Sequence, residues 1–247
     1  MRRLLRSFTP LFLNPTSVKK LTDEYIETGK PVWNNENIKA ALLELSNSKC
    51  AYCECQLSNE SKYMEVEHFE DKKNNPNKVL EWNNLLPSCK RCNGSKGTHD
   101  VLQEPIINPF LDNPIEHLKI RLYRFKAKSD IGQNTIDVVD LNNYERIVKK
   151  RFDIGCAMQE AIEEALNKLG IYEQKGTTRA KNKLLGQIES ILLECQPSSS
   201  YACTAASVLH SDENYEILRK KLQDVNLWSS ELDLLHKESK KIKFECA

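Results

Sequence analysis

Cys50-Ala51-Tyr52-Cys53 and Cys89-Lys90-Arg91-Cys92 are two C-x-x-C knuckles with 35 residues between them. A two-residue gap lets both sulfurs of a knuckle reach one tetrahedral ion. Two knuckles complete a closed four-thiolate shell suited to structural zinc. Four thiolates leave no open position for water or substrate, so this metal belongs to architecture rather than to catalysis. A small ββα unit buries little apolar surface, so metal binding would supply much of its folding free energy. Cys55 competes with Cys53, although C-x-C spacing suits the knuckle less well. A redox pair is disfavoured, because no thioredoxin-like βαβ pattern surrounds either knuckle.

The connection between the knuckles is too long for a plain zinc ribbon. It contains Glu65-Val66-Glu67-His68-Phe69 and then Trp82-Asn83-Asn84-Leu85, and Asn93, Lys96 and Gly97 follow the second knuckle. The order C-x-Y-C, acidic-His, W-x-N-L, C-x-x-C-N-x-x-K-G resembles the HNH (ββα-metal) endonucleases in their four-cysteine zinc form.

The chemistry explains why these residue types belong together. A phosphodiester is anionic and repels a nucleophile. Its hydrolysis needs a base for water, a cation on the developing charge and help for the leaving oxygen. His68 has a side chain that titrates near neutrality and can take the proton. Glu67 and Asn93 offer hard oxygen ligands for Mg²⁺ or Mn²⁺, and two protein ligands leave room for water and substrate oxygens. The resemblance assigns the middle Asn, Asn84 by position with Asn83 as the neighbouring alternative, to fixing the loop that holds the base. Lys96 is placed on the ββα helix against a phosphate oxygen, with Lys90 and Arg91 as auxiliaries. Two departures bear on metal preference and turnover. Glu67 stands where many members have Asp, and Asn93 stands where many have His. His99, six residues beyond Asn93, is a further donor in reach along the sequence.

Outside this stretch the chain is ordinary for a soluble protein. It has 247 residues, 40% apolar and 29% charged, with a formal charge of +1. Residues 1–20 hold Arg2, Arg3, Arg6, Lys19 and Lys20 and no acidic side chain. Such an arm either lies on phosphates or an acidic partner, or stays solvated. No signal peptide is legible, and no apolar run approaches the 18 residues of a membrane span. Nine cysteines, five of them within positions 50–92, fit metal ligands plus free thiols in a reducing cytoplasm better than a disulfide framework. Cys156, Cys195, Cys203 and Cys246 read as buried core thiols.

The periodicity predicts an α+β, predominantly helical fold in three parts. Residues 1–48 are the basic arm and N-terminal helices, with helices over Thr16–Gly29 and Asn35–Asn47. Residues 49–100 form the zinc-stapled nuclease module. Residues 101–247 are a mostly helical docking or scaffold region. A strand is expected over Leu118–Phe125, with a second strand over Thr135–Val139 against it. A long helix over Asn142–Leu169 is expected to break near Gly155, another follows over Lys181–Cys195, and two or three more run from Tyr201 to Phe244. His117, His210 and His236 sit in other patterns and read as surface or core residues.

Further segments narrow the resemblance. These are Ile107-Asn108-Pro109, Asn113-Pro114-Ile115-Glu116-His117-Leu118, Asn134-Thr135-Ile136, Leu141-Asn142 and Arg146. Together with the module they are similar to the PtuB family, the HNH component of Septu anti-phage systems and of retron-associated relatives. That resemblance implies assembly with a PtuA-like ABC-type ATPase, and cleavage restrained until infection. The expected activity is metal-dependent hydrolysis of nucleic-acid phosphodiesters, with DNA favoured. Two rivals stand beside it: the same site acting on RNA, including tRNA, and a zinc-dependent binding module without catalysis.

Overall fold

The computed structural model describes residues 1–57 and 64–246. It is mostly helical with two small sheets, and it divides into two units. The first comprises Met1–Leu118 with Lys126–Asn142, the second Lys119–Phe125 with Asn143–Ala247.

In the first unit, α1 (Pro15–Thr28) and α2 (Glu36–Ser46) precede the knuckle. Asn14 caps α1 by accepting the Ser17 N–H at 3.0 Å, and Pro15 at the first turn gives up no needed donor. Gly29 ends the helix at φ 71°, a left-handed conformation that costs a glycine nothing. Asn35 and Asn47 do the same work at the two ends of α2. Strands β1 (Met64–His68) and β2 (Leu85–Cys89) pair antiparallel, from Met64 opposite Cys89 to His68 opposite Leu85. Helix α3 (Lys90–Lys96) follows without a loop and completes a ββα unit. Ile38, Leu42, Val66, Val79, Leu80, Trp82 and Leu85 form the apolar core beneath it.

The basic arm is packed at Met1, Leu4 and Arg6, whereas Arg3, Lys19 and Lys20 are exposed. Met1 and Leu4 are buried, and Leu4 N–H donates to Pro109 O at 2.7 Å. The Arg6 guanidinium donates to Leu85 O at 2.6 Å and stacks over Phe110 and Trp82. Burial lowers its pKa to about 10. A guanidinium committed to a strand carbonyl and two aromatic faces is not offered to phosphates.

The strand expected over Leu118–Phe125 is a two-stranded hairpin, β3 (Leu118–Arg121) and β4 (Arg124–Ala127). It turns at Leu122 and Tyr123, which both have positive φ, as a type I′ hairpin turn requires. The second strand expected over Thr135–Val139 is instead part of helix α5 (Asp130–Val138), which follows the short α4 (Pro114–His117). Ser129 overrides the β-branched run by capping α5 through the Gly132 N–H, and the Thr135 hydroxyl turns back on Ile131 O and accepts from Ile107 N.

The second unit is a helical bundle. A π-turn at Tyr144–Val148 leads into α6 (Lys149–Lys175), followed by α7 (Thr178–Glu194), α8 (Ala202–Leu209), α9 (Glu213–Asp224) and α10 (Ser230–Lys241). Helix α6 runs unbroken through Gly155. The Tyr123 ring occupies the space a side chain would take there, so the glycine serves packing, not a break. Ile162, Ala165, Leu169, Leu184, Ile188, Leu192, Leu209, Leu218 and Leu222 make its core. Cys195 and Cys203 are buried in this unit, whereas Cys156 is half-buried and Cys246 exposed.

Two glycines separate close packing from helix propensity. A Cβ at Gly132 would collide with the backbone oxygen of His117, which cannot step aside, whereas one at Gly170 meets open space within α6. Gly132→Ala is expected to cost about 1–3 kcal/mol. Gly170→Ala should instead stabilise the protein by roughly 0.5–1 kcal/mol. Denaturant midpoints of the two variants against wild type check both signs.

Candidate active site and metal centre

The sulfurs of Cys50, Cys53, Cys89 and Cys92 all lie within 4.8 Å of one another, and all four residues are buried. Cys53 Sγ and Cys89 Sγ are 3.8 Å apart. A tetrahedron with zinc–sulfur bonds of about 2.3 Å has edges of roughly 3.8 Å, so the thiols fit zinc and would hold it with no position left over. Backbone geometry sets this up. Cys50 N–H donates to Cys55 O at 2.9 Å and Glu54 N–H to Cys50 O at 3.0 Å, which curls the first knuckle. Cys89 caps α3 by accepting the Cys92 N–H at 3.5 Å, so the second knuckle is the helix start. Hydrogen bonds from Cys50 and the neighbouring thiols hold Cys89 far below the usual thiol range, while those same neighbours, and then burial, push Cys92 up. Four crowded thiols cannot all ionise without a cation between them.

The residues between the knuckles converge on β1 and α3. Glu67 and Lys96 form a buried ion pair at 2.7 Å, and the Lys96 ammonium also donates to His68 O at 2.9 Å. Burial raises the Glu67 carboxyl to about 7 although Lys96 pulls it the other way. Two residues back, on the same face of the strand, Glu65 accepts from the Asn93 amide at 2.6 Å. That bond occupies the Asn93 nitrogen and leaves its carbonyl oxygen as the acceptor. The sequence reading gave Glu65 no role. Its signal was the Glu65-x-Glu67 alternation, which puts both carboxylates on one face of a strand.

His68 is 3% exposed. Its Nε2 lies 2.9 Å from Val79 O. A carbonyl only accepts, so Nε2 carries the proton and Nδ1 holds the lone pair. That Nδ1 is buried with no hydrogen-bond partner among the described residues. Burial lowers the imidazole pKa to about 4, so the ring is neutral at neutral pH. The Tyr52 hydroxyl is a second buried polar atom without a partner among the described residues. Burial, then the charge of Glu67, raises its pKa well above the usual tyrosine range.

Asn84 is buried, and its amide clamps the loop after His68. Its oxygen accepts from Glu70 N–H at 2.7 Å, and its nitrogen donates to Glu70 O at 3.0 Å and Lys78 O at 3.2 Å. Asn83 is exposed, and its backbone oxygen takes a long bond from Arg6. Lys90 is exposed and Arg91 half-buried at the start of α3. His99 lies beyond α3 and bonds to Glu104 O at 2.8 Å. His117 faces Ser129, and His210 and His236 belong to the helical bundle.

The thiol cluster yields a direct test. Purified protein should contain about one zinc per chain. Cys50→Ser and Cys92→Ser should each lower that content severely, with a drop in melting temperature larger than any surface substitution gives. Elemental analysis beside thermal unfolding reads both quantities, and undiminished zinc in both variants would reject the assignment.

Comparison with known proteins follows the same geometry. A model of the HNH endonuclease family matches residues 50–99. The chain is 46% identical over 214 residues to Septu protein PtuB of Bacillus thuringiensis, covering 86% of this chain and 83% of that protein. It is 28% identical over 193 residues to Septu protein PtuB of Bacillus mycoides, covering 59% of this chain and 64% of that one. No solved structure matches. The nuclease family lies on the very stretch that folds as two strands and a helix between paired cysteines, and the identity runs far beyond it: the chain belongs to the PtuB family of Septu proteins and carries an HNH endonuclease domain.

Proposed function

We propose that this chain is the metal-dependent endonuclease of a Septu-like anti-phage complex, hydrolysing DNA phosphodiesters in partnership with a PtuA-like ABC-type ATPase. The observation that carries the catalytic part is the state of His68. Its Nε2 proton is committed to Val79 O, and its Nδ1 lone pair is buried and unpartnered among the described residues. An imidazole held this way is a base with one direction left in which to accept a proton.

In this reading His68 Nδ1 takes the proton of the attacking water. Asn84 holds the 68–78 loop by its backbone, so the carbonyl that orients the imidazole stays in register. Glu67 and Asn93 would hold Mg²⁺ or Mn²⁺ through a carboxylate oxygen and the amide oxygen, and Glu65 keeps that amide turned. The bound ion would supply charge stabilisation for the phosphate and the leaving oxygen. Lys96, buried on Glu67, contributes its charge from within, while Lys90 and Arg91 at the exposed start of α3 approach the flanking phosphates.

No helix among the described residues is long and apolar enough to cross a membrane, which accords with action in the cytoplasm. The helical region after the module provides surface for docking the ATPase. A site that reads the phosphate does not by itself choose the sugar, so RNA, including tRNA, is the second arm of the test.

The chain should be purified with and without the co-expressed ATPase and given DNA and RNA with Mg²⁺, Mn²⁺ or chelator. Divalent-dependent cleavage is expected, and His68→Ala should lose about two to four orders of magnitude in rate at unchanged zinc content. Cleavage that survives His68→Ala would reject the base assignment, and a chain without cleavage on either polymer would favour a zinc-dependent binding module. Asn84→Ala strips partners from buried backbone groups. It is expected to cost about 1–3 kcal/mol and to lower the rate while leaving zinc in place.

A further inference from the structure

Trp33 lies in the loop between α1 and α2, outside the nuclease module and 35 positions before His68. Its indole stands edge-to-face against the His68 imidazole, with ring centroids 5.0 Å apart and planes at 89°. The Lys72 ammonium lies over the same indole, 4.9 Å from its centroid. Tyr25 of α1 packs edge-on against Trp33 at 5.4 Å, and its hydroxyl donates to the Lys72 backbone oxygen at 3.5 Å. The N-terminal helices therefore build a wall along residues 68–72 and fix a cation beside the base.

That cation differs from the others near the site. Lys96 is spent on Glu67, and Lys78 is paired with Glu70 at 2.6 Å. Lys72 is half-buried, and no carboxylate of the described residues lies within ion-pair distance of it. An ammonium laid on an indole keeps most of its charge available, since the aromatic face neutralises nothing. It also loses less side-chain freedom when an anion arrives, because it is already held.

We propose that Lys72 is the substrate-phosphate contact of this site, and that Trp33 is a positioning residue that holds both Lys72 and the His68 ring. The proposal rests on the nuclease reading above. A phosphate seated by Lys72 would lie beside the indole that packs on the His68 ring. The contact reads charge, not base, so it applies equally to DNA and RNA.

The test uses the full chain in the form that cleaves, with a labelled DNA duplex and a labelled RNA of equal length as probes, across a salt series. On whichever polymer is cleaved, Lys72→Ala should weaken binding roughly three- to tenfold and make log affinity against log salt shallower by about one unit. The loss should show in KM more than in kcat, and Lys72→Arg should restore most of the binding. Lys73→Ala, at an exposed neighbouring position, should match wild type. Trp33→Ala should lose the same affinity and also lower kcat, and Trp33→Phe, which keeps a ring against His68, should recover both. Zinc content is measured in every variant to exclude unfolding. A Lys72→Ala protein with wild-type affinity and salt slope overturns the phosphate assignment while cleavage by wild type keeps the nuclease reading standing. Equal damage from Trp33→Phe and Trp33→Ala overturns the positioning role. A wild type that cleaves neither polymer removes both proposals together.

Discussion

The structure depends on a conflict among four thiols and on its resolution. Cys50, Cys53, Cys89 and Cys92 are buried within 4.8 Å of one another, a distance at which thiolates repel strongly in a medium that screens poorly. The backbone spends hydrogen bonds to bring them there, through the curl at Cys50–Cys55 and the start of α3 at Cys89. A divalent ion bound among them would turn that repulsion into a tie. Such a tie would lock the end of β2 to the loop ahead of β1. The strand and helix that carry Glu65, Glu67, Asn93 and Lys96 then face each other at fixed spacing.

A second constraint operates one layer further in. Burial makes ionisation expensive for Glu67 and His68, and each answers differently. Glu67 is raised toward neutrality in spite of Lys96, so a cation at its carboxylate gains from relieving an unfavourable burial. His68 is lowered, so the ring stays neutral and basic in shape if not in strength. The two stand beside each other on one strand, with the imidazole turned by Val79 O, and burial moves their pKa values in opposite directions.

Much of this was legible in the sequence. The paired C-x-x-C spacing located the cluster of four thiols that could hold zinc, because tetrahedral geometry permits few other readings of it. The Glu-His and W-x-N-L segments fall at the end of β1 and the start of β2, and the Asn84 amide bonds to the backbone of Glu70 and Lys78. The caps Asn35 and Asn47 marked α2 to within a residue. What stayed hidden depended on contacts distant along the chain. Trp33 carries no local signal, since its partner is 35 positions away. Arg6 read as a free cation, because nothing in residues 1–20 announces the carbonyl of Leu85. The run Thr135–Val139 looked like a strand by composition, and a single serine cap at Ser129 outweighed it. Gly155 looked like a break because its tenant, the ring of Tyr123, comes from a hairpin 32 residues earlier.

The Asn84 clamp has one more implication. Every bond it makes ends on main-chain atoms, the N–H and oxygen of Glu70 and the oxygen of Lys78. Such a grip is indifferent to the side chains at those two places, proline at position 70 excepted because it lacks the N–H. Lineages descended from a common ancestor are therefore free to exchange the residues at 70 and 78, or invert their charges together, without loosening the turn, while the asparagine itself has no equivalent substitute of the same reach.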